Sequence, residues 1–308
     1  MKVIFLSTPD FGIKPLEAIL NSRHEVLAVV TQPDKPVGRK AIITPCAVKQ
    51  YAVSKGLKTL SYNKIRLEGV QDLKSLNADI MVTCAYGQIL SREILDIAPH
   101  GIINIHASLL PKYRGSSPIQ WAIINGDEET GVTIMQTEEG VDTGDIISTV
   151  KTKINKGETA GELFERLSIL GAELIVKTLD DIENGTATKI KQNEELATHV
   201  KMLKKEDGII DFTKNASEIV NLINGLNPWP IAYTFLNGKT LKIFNAEVVE
   251  NNGKPGEIIK ADINGGLIIG ANNGSLKINE LQLEGGKKMS VRDFLIGRKL
   301  NVGQIIGE

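Results

Sequence analysis

Along the first half of the chain, apolar runs alternate with segments whose apolar residues return at helical spacing. KVIFL at 2–6 is followed by helical spacing from Phe11 to Leu20 and then by EVLAVV at 25–30. Further on, ADIMVTCAYG at 78–87 precedes a short helical segment and GIINIH at 101–106. This alternation predicts parallel strands joined by helical crossovers. Three helix starts carry capping signals: Ser117 with Pro118 and Gln120, Thr159 with Glu162, and Ser290 with Asp293. After about residue 190 the texture changes to AYTFL, LKIFNAEVV, GEIIKA, GLIIG and SLKINELQL, short runs separated by Gly and Asn, with one helical stretch, Ser217 to Leu226, ahead of them. Short strands at roughly ten-residue spacing predict a small barrel. The expected fold is therefore α/β. A Rossmann-like, doubly wound, mostly parallel sheet fills 1–188, a polar linker 189–206, and a small OB-like β-barrel 207–308.

Bulk properties agree with two domains and add little chemistry. The 308 residues exceed one typical domain of about 150. Hydrophobic residues at 42% and charged residues at 24% are those of an ordinary globular protein. The N-terminal apolar run is broken by Ser, Pro and Asp, and no apolar stretch approaches about 18 residues, so the expected location is the cytoplasm, away from any membrane. Two cysteines, Cys46 and Cys84, show neither CxxC spacing nor a ligand cluster, so no metal site is expected. No heptad seam stands out, and a monomer is the expectation. Net charge is −1, which argues against a uniformly basic coat; Lys plus Arg less Asp plus Glu is 22 − 25 = −3 over 1–200 and 14 − 12 = +2 over 201–308.

The turn after the first strand, STPDFG, has one glycine where a dinucleotide fingerprint needs three, so neither NAD nor FAD is expected. A GxxxxGK[ST] phosphate loop, a GxSxG elbow and an HExxH helix are also absent from the sequence.

The chemistry concentrates elsewhere. Asn104 and His106 stand two residues apart near the carboxyl end of a strand, where their side chains share one face and where open α/β sheets place ligands. Downstream, Asp142 lies between Gly140 and Gly144, glycines that permit an unusual backbone path, in a loop able to reach the same crevice. An amide donor, an imidazole and a carboxylate suit attack by an amine on an activated carbonyl, whose intermediate needs an oxyanion donor and a proton acceptor. A model α-amino group has a pKa of about 7.7–8.0, so no strong base is needed. Taken singly, a histidine at a strand end and an aspartate beside glycine also have ordinary structural readings. His24, His100 and His199 have no such companions.

The string NIHASLLPKYRG, with EEGVDTGDI downstream, closely resembles the folate-dependent formyltransferase superfamily, whose pattern is Asn-x-His-x-Ser-Leu-Leu-Pro with a later Gly-x-Asp-x-Gly. The resemblance implies that Asn104, His106 and Asp142 are catalytic. It also implies that Ser108, Leu109, Leu110 and Pro111, with Tyr86 and Gly87 of the AYG segment, bind the cosubstrate 10-formyltetrahydrofolate. TPDFG, TQPDKPVGRK and NPWP extend the likeness over nearly the whole chain, toward the branch that formylates the α-amino group of methionyl initiator tRNA. In that branch the loop from Gln32 to Pro45 enters the acceptor stem, which places Arg39 and Lys40 on the tRNA. Lys40 is followed here by Ala-Ile-Ile-Thr where the family is commonly richer in lysine, which lowers the salt-dependent part of RNA binding. Lys201, Lys204, Lys205, Lys287, Lys288, Arg292, Arg298 and Lys299 are further cations for a tRNA-facing side of the barrel. Two other readings stay open: formyl transfer to a nucleotide-linked amino sugar, and a non-catalytic RNA-binding module.

Overall fold

The structure, a computed structural model, describes residues 1–38, 40–250 and 253–307. Its contacts divide the chain into two compact units: Met1–Gly115, Thr130–Thr152 and Phe164–His199 form the first, and Ser116–Glu129, Lys153–Leu163 and Val200–Glu308 the second.

The chain opens with β1 (Lys2–Ser7), α1 (Ile13–Leu20), β2 (Glu25–Thr31), a hairpin of β3 (Lys35–Val37) and β4 (Ile42–Thr44), α2 (Ala47–Ser54) and β5 (Thr59–Ser61). It continues through α3 (Ile65–Glu68), α4 (Val70–Ser75), β6 (Ile80–Cys84), α5 (Arg92–Leu95), β7 (Ile102–His106) and β8 (Arg114–Gly115). After α6 (Pro118–Ile124) come β9 (Glu129–Gln136), β10 (Ile146–Lys153), the 24-residue α7 (Ala160–Glu183) and β11 (His199–Val200).

The first unit is built on a seven-stranded sheet in the order β10-β9-β7-β6-β1-β2-β5. β5, β2, β1, β6 and β7 run parallel, and β9 returns antiparallel to β7, with Thr133 opposite His106 and Met135 opposite Asn104. All five residues of β6 and residues 3–7 of β1 are buried, as expected for central parallel strands with both faces covered. β10, at the sheet's edge, alternates instead. On one face of the sheet Ile4, Leu6, Val30, Met81 and Ile102 pack with Leu73 of α4 and Ile94 of α5. On α7, a Cβ added at Gly171 would stand 3.2 Å from Ile105, the residue between Asn104 and His106, so this glycine lets the helix approach β7 closely.

Two of the three capping signals are realised. Thr159 and Glu162 exchange hydrogen bonds at the start of α7, and Ser290 accepts from the Asp293 amide. Ser117 makes no side-chain cap: its backbone is left-handed (φ 64), which turns the hydroxyl away from the first-turn amides.

In the second unit α8 (Ala216–Gly225), begun by an Asn215–Glu218 capping box, is followed by β12 (Ala232–Leu236), β13 (Lys239–Val249), β14 (Ile258–Asp262), β15 (Gly266–Gly270), β16 (Ser275–Leu283), β17 (Met289–Ser290) and α9 (Val291–Gly297). Strands β12 to β16 pair antiparallel in the order β12-β13-β16-β15-β14, with β17 antiparallel beside β16. Register shifts around Asn245 bend β13, the longest strand. The core sets Ile243, Leu276 and Ile278 against Ile219 and Ile223 of α8 and Phe294 of α9, with Trp121 and Ile124 of α6 packed against it. The pairing order leaves β12 and β14 as its ends. Residues 303–307 bridge them: the Gly303 and Ile306 amides donate to the carbonyls of Ile258 and Gly256, and the Gly307 amide donates to Phe235.

Candidate active site

β7 delivers two side chains to one face. Thr83, opposite Asn104 on β6, donates its hydroxyl to Asn104 Oδ1 at 2.9 Å. The same hydroxyl lies 3.3 Å from the Ile103 carbonyl; with Oδ1 turned to Thr83, Nδ2 is left as a donor with no acceptor among the described residues. His106 is 6% exposed. Its Nε2 lies 3.0 Å from the Tyr113 carbonyl, which can only accept, so Nε2 carries a proton. Nδ1 is then the nitrogen that can gain or lose one, and it faces Asp142 Oδ2 at 3.6 Å.

Asp142 reaches this position from the loop 137–145 with a left-handed backbone (φ 54), a conformation uncommon for a residue other than glycine. Gly140 and Gly144 serve space instead. A Cβ at Gly144 would lie 1.9 Å from the Gln136 carbonyl, and one at Gly140 2.2 Å from Thr143 Oγ1. The unusual path expected of the glycines belongs to the aspartate itself. Asp142 Oδ2 also accepts from the Gly115 amide at 2.8 Å, which leaves Oδ1 open among the described residues.

The chain matches the family described as formyl transferase over residues 1–179, and formyl transferase, C-terminal domain, over residues 202–299. The chain belongs to the formyl transferase family. Among its relatives, the methionyl-tRNA formyltransferase of Lachnospira eligens is 48% identical over 316 residues and that of Agathobacter rectalis 50% identical over 306; the alignments cover 100% and 98% of this chain and the same shares of those proteins. Solved structures share the fold at low identity. The N-formyltransferase from Helicobacter canadensis, in complex with folinic acid and dTDP-3-aminofucose, superposes with a TM-score of 0.69 at 21% identity, covering 94% of this chain and 100% of that one. HypX from Aquifex aeolicus, in complex with tetrahydrofolic acid, gives 0.64 at 16% over 96% of this chain, which spans about half of HypX, 47%.

The remaining positions that family resemblance singles out are placed unevenly. Ser108 is fully buried, and its hydroxyl donates to the Lys112 carbonyl at 2.6 Å, so it closes its own loop. Thr133 of β9 ties that loop to the sheet, donating to the Ser108 carbonyl and accepting from the Leu110 amide. Leu109 and Pro111 are half-buried, and Leu110 is buried. Tyr86 is buried, its hydroxyl has no partner among the described residues, and burial pushes that hydroxyl's pKa up. What the AYG turn offers a ligand is its backbone: Ala85 and Gly87 are left-handed, and the Gln32 amide bonds the carbonyls of Tyr86 and Gly87. A Cβ at Gly87 would stand 2.6 Å from Gln32 Nε2, so the missing side chain makes room for the Gln32 amide that holds the turn.

Arg39 lies outside the described residues. Lys40 is exposed in the turn of the β3–β4 hairpin, beside Ile42 and Ile43, which are 62% and 63% exposed. Of the other cations, Lys201 pairs with Asp207, Lys288 pairs with Glu280 and sits over Phe244, and Arg298 sits over Phe294. Among the described residues, the grouping with metal-ligand spacing is His24, Asp180 and Glu183, and Arg23 already pairs with both carboxylates. No helix among the described residues is long and apolar enough to cross a membrane.

Sequence reasoning missed Thr83, Tyr113, Arg114 and the 192–198 segment. Thr83 had a signal, a hydroxyl inside the buried run IMVTC. Gln192, Glu194 and Thr198 had none, because they sit in the tract 189–206 expected to be a linker, which instead carries a 3-10 turn at Glu194–Leu196 and β11.

Proposed function

We propose that this chain transfers the formyl group of 10-formyltetrahydrofolate to the α-amino group of methionyl initiator tRNA. The reading of the chemistry rests on one arrangement: an amide donor oriented by Thr83 and an imidazole on one strand face, with a carboxylate 3.6 Å from the imidazole. The tRNA acceptor rests on identity of 48–50% along the full length of relatives named methionyl-tRNA formyltransferase.

The cosubstrate supplies an electrophilic formyl carbon. Asn104 Nδ2 donates to the formyl oxygen as negative charge develops there, a contribution of about 3–4 kcal/mol for one well-placed donor. As the amine nitrogen bonds to the formyl carbon, Asp142 Oδ1 or His106 Nδ1 takes the proton it loses, the Asp142 charge steadying the imidazolium in the second case; the bond from that carbon to N10 of the cosubstrate then breaks, and the proton passes to N10 as tetrahydrofolate leaves. With Nε2 held on the Tyr113 carbonyl, the ring cannot turn while this happens.

The test is a labelled-formyl assay offering charged initiator tRNA, a UDP-amino-sugar and glycinamide ribonucleotide in parallel. Label should reach the tRNA and neither small acceptor. Transfer to the amino sugar alone would move the acceptor assignment to that branch. His106→Ala should lower turnover by about 10²–10⁴-fold while tRNA affinity stays within a few fold. An unchanged rate would return the chain to a non-catalytic RNA-binding role.

A further inference from the structure

We propose that Gln192 is a positioning residue for this reaction: its amide fixes the loop that carries Asp142, and Arg114 in turn fixes the amide. The inference rests on the reading of Asp142 in the previous section.

The Gln192 side chain uses all its hydrogen-bonding capacity on three residues. Nε2 donates to the Asp142 carbonyl at 2.9 Å and the Gly144 carbonyl at 2.8 Å, while Oε1 accepts from Arg114 Nε at 3.0 Å and Nη2 at 2.8 Å. The direction of the amide follows from chemistry, because a guanidinium only donates and carbonyls only accept. Arg114 is 1% exposed, and a charge so buried requires a partner. Glu194 provides it, taking both guanidinium ends at 2.7 and 2.8 Å. The ion pair raises the pKa of Arg114 and lowers that of Glu194, the hydrogen bond between them being the largest cause of each.

The same segment holds the other half of the site. Thr198 accepts from the Tyr113 amide through its hydroxyl at 2.8 Å and from the Arg114 amide through its carbonyl at 2.8 Å, and its own amide donates to Pro111. Residues 192–198 thus act as a strap across two loops, one bearing the carbonyl that holds His106 Nε2 and the other bearing Asp142. A left-handed aspartate persists only where its surroundings hold it there. Gln192 bonds the carbonyl of that residue and the carbonyl two residues on.

Gln192→Glu preserves size and the acceptor facing Arg114 but replaces two donors with an oxygen facing two carbonyls. Gln192→Ala removes the contact without new charge. Both should lower kcat by about tenfold to a hundredfold, the scale of an ångström of misplacement, with KM for 10-formyltetrahydrofolate within about twofold of wild type. In an Asp142→Asn background neither should lower kcat much further, because Gln192 acts through that side chain. If Asp142→Asn alone leaves transfer intact, the reading of the site fails. If Asp142→Asn is impaired but both Gln192 variants keep kcat within twofold, or their losses simply add to it, the positioning role is overturned.

Discussion

The two sides of the candidate site are held in different ways. Asn104 and His106 stand on β7, paired to β6 on one side and β9 on the other and backed by α7 at Gly171. Asp142 stands on a loop with a left-handed backbone, gripped by hydrogen bonds from the Gly115 amide and the Gln192 side chain. A ladder positions a side chain through many backbone bonds, each replaceable by its neighbours. A clamp does it through a few side-chain atoms, each of which matters. Substitutions on the strand side should therefore act through chemistry, and those on the loop side through geometry.

Among substitutions that keep His106, the largest effect should follow Asn104→Ala, which removes the oxyanion donor and leaves the strand intact. kcat is expected to fall about 10²–10³-fold with the melting temperature near wild type, read by single-turnover transfer and thermal unfolding. A loss under tenfold would remove the donor role. Gly144→Ala comes next and tests the loop side: with 1.9 Å between the new carbon and the Gln136 carbonyl, the loop must shift, and kcat should drop about tenfold to a hundredfold with β7 unchanged. Near-normal turnover there would mean that the loop has slack.

A smaller change is expected of Thr83→Val, which conserves shape and frees Asn104 to present either end of its amide. The hydrogen bond is worth about 1 kcal/mol, so kcat should fall roughly fivefold, and Thr83→Ser should restore it. No change in either variant would show that packing alone orients the amide. The smallest effect concerns pH. Arg114 holds the Glu194 carboxyl below its ordinary range, so any stability from the pair is present at neutral pH and is lost as pH falls through that lowered value. The melting-temperature difference between wild type and Glu194→Gln should shrink as pH drops from about 7 to below about 4, and it starts small because Glu194 is 71% exposed. A difference that grows on acidification would contradict the pairing.

The same contrast decides what could be read from the sequence. Alternating apolar runs foretold the parallel strands and the β-rich C-terminal unit, because burial of whole strands leaves a continuous signature. Asn104 and His106 declared themselves as polar residues on such a strand. The strap did not, since Gln192, Glu194 and Thr198 lie in a polar tract whose contacts are all distant in sequence. Nor did the bridge at 303–307, whose hydrogen bonds run through backbone atoms that carry no side-chain pattern. The Ser117 cap failed for a related reason: capping signals assume an extended backbone at the cap residue, and the turn after Gly115 imposes another. At Asp142 the flanking glycines pointed to the right loop for a reason other than the one that operates there.

The close approach of α7 to β7 falls under Ile105, between the two functional residues of the strand. Any disturbance transmitted through that contact reaches Asn104 and His106 together and in the same direction. The spacing between the amide and the imidazole is then a property of the pleat itself, insulated from repacking behind the sheet, whereas their distance to Asp142 is free to drift. Mutational drift in the core should accordingly erode proton handling sooner than oxyanion binding, and in a randomly mutagenised population the two losses would separate.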